Sequence, residues 1–182
     1  MIGIRIHGRG GQGAVTFAHI ISLAATFEGK HGQSSQALTI ERRGAPTQGF
    51  ARIGDRPIAE RGMINNPDYV AVLDPMLVKA ANVEAGLSET GMVVVNSPAQ
   101  VELEHTCVCF DATTIALEVL GRPITNTVML GGFVAATNLV NLESVEKGAR
   151  FVFEKNLPEK TLEKNLTAIR RAYEEVKNAK TA

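Results

Sequence analysis

Four glycines within six residues constrain the fold of this chain more than any other feature. They lie in the run Gly8–Gly13, which reads G-R-G-G-Q-G and fits the pattern G-x-G-x-x-G. Before the run, isoleucine at every second position of Ile2–Ile6 predicts a strand with one buried face. After the run, apolar residues at three-to-four spacing from Ala14 predict a helix that ends near Gly29. A strand, a glycine loop and a helix in this order are typical of α/β domains, in which the loop presents backbone amides to an anion.

The rest of the chain continues to alternate between strand and helix patterns. Strands are predicted at Ala37–Ile40, Gln48–Ile53, Tyr69–Leu73, Met92–Val95 and Cys107–Phe110. The turn residues Gly54–Pro57 predict an antiparallel hairpin whose second arm ends near Ala59. Helices are predicted from Asp74-Pro75 onward and over Asp111–Leu120, Val128–Asn138, Leu142–Glu154 and Pro158–Asn178.

These elements predict one α/β domain over residues 1–182. We expect an open, mainly parallel sheet with helices on both faces, one antiparallel hairpin and a helical C-terminal end.

Composition excludes several classes of function. Lys+Arg and Asp+Glu both number 19, so no net charge draws the chain towards nucleic acid or an anionic membrane. No apolar run approaches the roughly 20 residues that span a bilayer, and no signal peptide is evident, so we expect a cytoplasmic protein. Cys107 and Cys109 share one face of one predicted strand, where they can form neither a normal disulfide nor a four-cysteine cluster.

Two segments are candidate anion or subunit contacts. The first is the glycine loop, which consists of Gly8, Arg9, Gly10, Gly11, Gln12 and Gly13. Dinucleotide sites also use an acidic residue about 20 positions after the loop, and this chain has none there. The competing interpretation is therefore a tight turn that binds no nucleotide. The second is the cationic segment Glu41, Arg42, Arg43, Gly44, Ala45 and Pro46, which suits a phosphate or a partner's carboxylate, or is a solvated turn.

Other polar residues have plainer explanations. Asp74 and Asp111 each follow a strand and are expected to cap a helix or to face the ligand crevice, and Asn126 is a cap residue or reaches the same crevice. The four histidines have no metal-ligand spacing. Gly54-Asp55 and Asn65-Asn66 lie too close together for a thiamine diphosphate motif.

Taken together, four stretches make the chain resemble the gamma subunit of pyruvate and related 2-oxoacid:ferredoxin oxidoreductases. They are Ile4–Thr16, Glu41–Pro46, Asp111–Thr113 and Ile115–Gly131, and they extend over most of the chain. The segments Arg5–His7 and Glu41–Pro46 resemble the pyruvate type more than the 2-oxoglutarate type.

The resemblance implies an oxidative decarboxylation in which a 2-oxoacid and coenzyme A give acyl-coenzyme A, carbon dioxide and reduced ferredoxin. It implies that thiamine diphosphate, Mg and the iron–sulfur clusters are held by alpha, beta and delta-type subunits. No cofactor or metal is expected on this chain, and the isolated chain is expected to be inactive. The subunit would support assembly and help shape access for coenzyme A.

Two alternative functions remain open at the level of sequence. A stand-alone Rossmann-like enzyme would bind a dinucleotide at Gly8–Gly13, and a subunit of the related indolepyruvate oxidoreductase would serve a different complex.

Overall fold

The structure, a computed structural model, describes residues 1–37 and 43–181. Its strands are β1 (Ile2–Arg9), β2 (His31–Gln36), β3 (Pro46–Gly54), β4 (Tyr69–Val72), β5 (Met92–Asn96) and β6 (Thr106–Phe110). They form one six-stranded sheet in the order β2-β3-β1-β4-β5-β6. The β3 strand runs antiparallel to both its neighbours, and the remaining pairs are parallel. The sheet is therefore mainly parallel, as the sequence predicts.

Helices cover the two faces of the sheet unequally. They are α1 (Ala14–Phe27), α2 (Leu77–Ala80), α3 (Ala112–Leu120), α4 (Thr125–Thr137), α5 (Leu142–Phe153) and α6 (Glu159–Thr181). The larger hydrophobic core joins one face to α1 and α3 through α6. The smaller core joins the other face to the single turn of α2 and to loop residues such as Leu87 and Val101. The α/β class and the helical C-terminal end are confirmed. No helix of the described residues is long and apolar enough to cross a bilayer.

Close backbone contacts fix α1 on the sheet. A Cβ atom at Gly32 would lie 1.9 Å from the carbonyl oxygen of Ser22, and one at Gly49 would lie 2.5 Å from that of Ala14. Any larger side chain at these two strand positions would therefore push the helix away. The result is that the first turn of α1 is held directly beside the end of β1.

The predicted hairpin after β3 is wrong in its second arm. Residues 57–59 form no strand, and the chain from Asp55 to Asp68 instead crosses to the second face as an irregular segment. The physical reason is that β3 already pairs on both sides, with β1 and with β2, so no edge is left for another arm. The antiparallel hairpin of this fold is β2–β3.

Three other boundaries differ from the sequence prediction. The strand before β3 is His31–Gln36, whereas the predicted strand Ala37–Ile40 lies largely outside the described residues. The helix predicted from Asp74 shortens to the one turn of α2, while α4 begins at Thr125 rather than Val128. The early start of α4 has a consequence for function, because it carries the helix N-terminus to the glycine loop.

Candidate functional site

The glycine loop turns the chain from β1 into α1 with an unusual backbone. Gly11 has a φ of 90° and Gly13 a φ of 81°, a left-handed conformation that favours glycine. The loop is closed by internal hydrogen bonds: the Gln12 amide donates to the Arg9 carbonyl at 2.8 Å, and the Arg9 amide donates to Gln12 Oε1 at 2.7 Å. The turn is thus rigid without a ligand.

The N-terminus of α1 is left uncapped by this turn. Gly13 is its N-cap residue and has no side chain to accept a hydrogen bond. The first amides of a helix have no partner within the helix, so Ala14, Val15 and Thr16 offer free donors at the positive end of the helix dipole.

A second helix N-terminus reaches the same place. The N-cap of α4 is Ile124, which also supplies no side-chain hydrogen bond. Among the described residues, a cavity of about 330 Å³ is lined by both starts: Gly11, Gln12, Gly13, Thr16, Pro123, Ile124, Thr125 and Asn126. Two uncapped helix N-termini therefore converge on one cavity, which we call the α1/α4 cavity.

Asn126 places a side-chain amide at the wall of this cavity. The residue is 7% exposed, and its Oδ1 is buried with no hydrogen-bond partner in the described part of the chain. A Cβ atom at Gly13 would lie 2.3 Å from Asn126 Nδ2, so glycine at position 13 makes room for this amide. A buried acceptor without a donor costs about 1–3 kcal/mol, and a water molecule or an N–H or O–H group would satisfy it.

Arg9 does not line the cavity. Its Nε donates to Asp74 Oδ2 at 2.6 Å and its Nη1 donates to the Gly44 carbonyl at 3.2 Å. Burial by itself would raise the pKa of Asp74, but the hydrogen bonds from Arg9, the Met76 amide and Gln12 outweigh it and hold that pKa below its usual range. The ionised Asp74 thus orients Arg9, and a direct contact of Arg9 with an anion stays a prediction.

The described part of the cationic segment, residues 43–46, lies against the glycine loop. Glu41 and Arg42 are outside the described residues, but Arg43 is exposed and forms a parallel bridge with Gly10. The Gly10 amide donates to the Ala45 carbonyl at 2.8 Å, and the Gly44 amide donates to the Gly10 carbonyl at 3.1 Å. Two motifs that are separate in sequence are therefore joined into one surface, which sequence reasoning alone did not predict.

The remaining candidates behave as structural groups. Asp111 caps α3 by accepting from the Thr114 amide at 2.9 Å, as one of its two interpretations predicts. Asp74 accepts from the Met76 amide at 3.0 Å. In residues 1–37 and 43–181, no group of three or more His, Cys, Asp or Glu side chains is arranged to hold a metal ion.

Comparison with known proteins places this geometry in a family. The model of the pyruvate ferredoxin/flavodoxin oxidoreductase family matches residues 3–175. The chain belongs to that family. The resemblance seen in the four sequence stretches is confirmed.

Relatives of high identity are gamma-type subunits. The pyruvate synthase subunit PorC of Methanothermobacter marburgensis is 48% identical over 180 residues, covering 98% of this chain and 99% of the relative. The common gamma subunit of the pyruvate/ketoisovalerate oxidoreductases of Pyrococcus furiosus is 48% identical, with 96% of each chain covered. This chain therefore corresponds to the gamma subunit of a 2-oxoacid:ferredoxin oxidoreductase.

Solved structures agree with this placement. The pyruvate oxidoreductase subunit PORC of Thermotoga maritima has a TM-score of 0.83 and 37% identity, with 95% of each chain covered. The 2-oxoglutarate:ferredoxin oxidoreductase of Magnetococcus marinus has a TM-score of 0.78 at 17% identity, which shows the shared fold alone; this chain matches 31% of that longer chain.

Sequence reasoning identified one side of the α1/α4 cavity and missed the other. The glycine loop is visible as a motif, and the sequence predicts Asn126 either as a helix cap or as a residue that reaches the crevice. Asn126 lines the cavity, and its role as a cap is wrong because Ile124 is the N-cap residue of α4. Ile124 and Thr125 were missed because α4 has an apolar N-cap and lacks the usual capping signal. A usable signal was Pro123, since proline is common just ahead of or within the first turn of a helix.

Proposed function

We propose that this chain acts as a non-catalytic gamma subunit of a pyruvate:ferredoxin oxidoreductase, and that it holds a phosphate group of coenzyme A in the α1/α4 cavity. The single observation that carries the second half of this proposal is that two uncapped helix N-termini meet at one cavity.

The physics of the cavity suits an anion. Each helix N-terminus is equivalent to roughly half a positive charge, and its free amides point along the helix axis. A phosphate oxygen accepts hydrogen bonds from several such donors at once, and the amide of Asn126 adds a side-chain donor at the same wall. Arg43, exposed beside Gly10, adds a full positive charge to the neighbouring surface.

The chemistry of the reaction is assigned to companion chains. We propose that alpha, beta and delta-type subunits hold thiamine diphosphate, Mg and the iron–sulfur clusters, and that ferredoxin receives the electrons through the complex. The gamma chain would then orient coenzyme A towards the reacting centre. We also propose that the complex is cytoplasmic.

The Magnetococcus marinus enzyme that shares this fold was solved with 2-oxoglutarate, coenzyme A and succinyl-CoA bound. That is a property of that protein; support for coenzyme A binding here comes from the α1/α4 cavity itself.

Calorimetric titration of the isolated chain and of the complex with coenzyme A tests the proposal. Pantetheine, which has the thiol arm but no phosphate, is the matched ligand and is expected not to bind. The variant Asn126→Asp puts a carboxylate beside the two helix N-termini, where it competes with a bound phosphate. We expect this variant to fold and to bind coenzyme A at least about tenfold more weakly than the wild type. Asn138→Asp, the same change at the opposite end of α4, is the control and is expected to bind normally.

Three outcomes would contradict this proposal. Equal binding of coenzyme A and pantetheine would show that no phosphate is recognised. Tight binding of NAD or FAD by the isolated chain, with none of coenzyme A, would instead favour the stand-alone dinucleotide enzyme. Co-purification with indolepyruvate-specific chains would favour the other alternative.

A further inference from the structure

The β6 strand forms one end of the sheet, and its own residues carry none of the features that usually protect an edge strand. Its residues, Thr106–Phe110, include no lysine, proline or other charged or strand-breaking residue. Proteins normally protect such an edge with charges, prolines or bulges, because its unpaired backbone groups attract another strand. An edge without these features is typical of a surface that pairs with another chain.

The direction of the free backbone groups can be derived from one hydrogen bond. The Ser97 amide, which follows β5, donates to the Phe110 carbonyl at 3.0 Å. In a strand the N–H and C=O of one residue point to the same side, and successive residues alternate. The groups of Thr106, Val108 and Phe110 therefore face β5, while those of Cys107 and Cys109 face outward. Outside the sheet, no backbone hydrogen bond within the described ranges involves either cysteine.

A cavity of about 590 Å³ lies along this edge. Its walls come from both faces of the sheet: Cys107 and Cys109 pack against the smaller core, and Val108 and Val176 belong to the larger one. A cavity lined from both faces is centred on the edge itself. Its volume accommodates a short extended segment in line with the sheet.

Charge at the ends of this cavity indicates which segment fits. Asp111, Glu175 and Lys180 line it. Asp111 caps α3, and the Nζ of Lys180 donates to the carbonyls of Ala135 and Ala136 near the end of α4, so Glu175 is the lining charge that no helix end compensates. A second copy of this chain would offer its own β6, whose flanking residues Glu104 and Asp111 are acidic and do not complement Glu175. A strand with a lysine or arginine at one end is complementary to Glu175.

We propose that β6 receives an extended segment of a companion subunit as a seventh strand, with small apolar side chains at its centre and a basic residue at the end that lies beside Glu175. The inference rests on the assembly role proposed above and gives that role a specific surface.

A proline substitution separates this role from folding. Cys109→Pro removes an outward N–H while leaving the bonds to β5 in place, and proline is tolerated on edge strands at such positions. We expect assembly with the companion chains, measured by mass photometry, to weaken about tenfold or more, since a backbone hydrogen bond and close approach are lost. Cys109→Ala, which keeps the N–H, is the control and should assemble as the wild type does.

Charge reversal on α6 tests the basic residue of the partner segment. Glu175→Lys is expected to weaken assembly, and Glu174→Lys, one position away and outside the cavity, is expected not to. Equal behaviour of the two variants would overturn the proposed charge of the partner segment.

Hydrogen exchange keeps the proposal testable even if Cys109→Pro does not fold. Resolved to single residues on the wild-type protein, the outward amides of Cys107 and Cys109 should exchange fast in the isolated chain and about tenfold or more slower in the complex. Unchanged exchange in a complex that has formed would overturn the β6 proposal and leave the subunit role intact. Failure of the wild type to assemble with its companion chains would instead overturn the subunit role.

Discussion

At the scale of single residues, His7 and Arg5 form a buried pair on the second face of the sheet. The Arg5 Nε donates to His7 Nε2 at 3.0 Å, and the Arg5 guanidinium also donates to the carbonyls of Val83 and Ala85 at 3.0 and 2.6 Å. Burial, assisted by the charge of Arg5, lowers the pKa of His7 to about 4. His7 is therefore neutral at physiological pH, which allows it to accept the bond from Arg5.

This pair predicts a pH dependence of stability. The pKa of His7 is lower in the folded chain than the ordinary value of about 6.5 in the unfolded one, so the unfolded state takes up the proton first as pH falls. Stability should decline between about pH 6.5 and 4, and we expect a loss of about 2 kcal/mol between about pH 7 and pH 5. Urea unfolding at the two pH values measures it.

His7→Gln is the control for this prediction, because a glutamine oxygen can still accept from Arg5 but does not titrate. The carboxyl groups of Asp74, Glu84 and Asp111 have lowered pKa values and contribute only at more acidic pH. If wild type and His7→Gln lose equal stability between about pH 7 and pH 5, the proposed role of His7 is wrong.

At the scale of elements, α4 and α6 pack with their backbones in contact. A Cβ atom at Gly131 would lie 2.0 Å from the carbonyl oxygen of Ile169. Alanine has a helix propensity about 1 kcal/mol more favourable than that of glycine. The steric clash of its Cβ with the backbone of α6 costs more than this, because a backbone cannot move away as a side chain can. We expect Gly131→Ala to lower the free energy of unfolding by about 2 kcal/mol or more, as measured by urea denaturation.

Gly148→Ala in α5 is the matched comparison. Its Cβ would lie 3.0 Å from the Ile20 carbonyl oxygen, so a shift of a few tenths of an ångström accommodates it. We expect a change within about 1 kcal/mol. If the two variants lose equal free energy of unfolding, the backbone contact of α4 with α6 is not the reason why position 131 requires glycine.

The elements that sequence could predict are those with strong apolar periodicity. The buried strands β4, β5 and β6 and the helices α5 and α6 lie within a few residues of their predicted positions. The β2 strand was missed because its sequence, H-G-Q-S-S-Q, has no apolar alternation. Its position is set by pairing with β3 and by the approach of α1 to Gly32, which are tertiary effects.

The candidate site shows the same division. The glycine loop could be predicted because a left-handed backbone conformation favours glycine, and the glycines are visible in the sequence. The contacts of that loop with Arg43 and with the start of α4 could not be predicted, because they depend on which chain segments meet at the carboxyl end of β1.

At the scale of the whole molecule, residues 43–46 of the cationic segment and the glycine loop form one surface at the carboxyl end of β1. We expect Arg42→Ala with Arg43→Ala to leave the fold intact and to weaken assembly or raise the concentration of coenzyme A needed for half-maximal activity about tenfold. The assay is viologen reduction by the complex, dependent on pyruvate and coenzyme A.

Arg56→Ala with Arg61→Ala is the control, because it removes the same charge from two exposed residues of the segment that follows β3. Unchanged assembly and unchanged coenzyme A kinetics in the Arg42/Arg43 double variant would refute the role of the cationic segment.

The most direct test of the α1/α4 cavity is a coenzyme A titration followed by amide NMR on the isolated 19.5 kDa chain. The proposed site predicts that chemical shifts move first at the free helix starts, in Gly11–Thr16 and Ile124–Thr127, and that pantetheine leaves them unchanged. Shifts confined to other residues, or equal shifts with pantetheine, would contradict the assignment of a phosphate to this cavity.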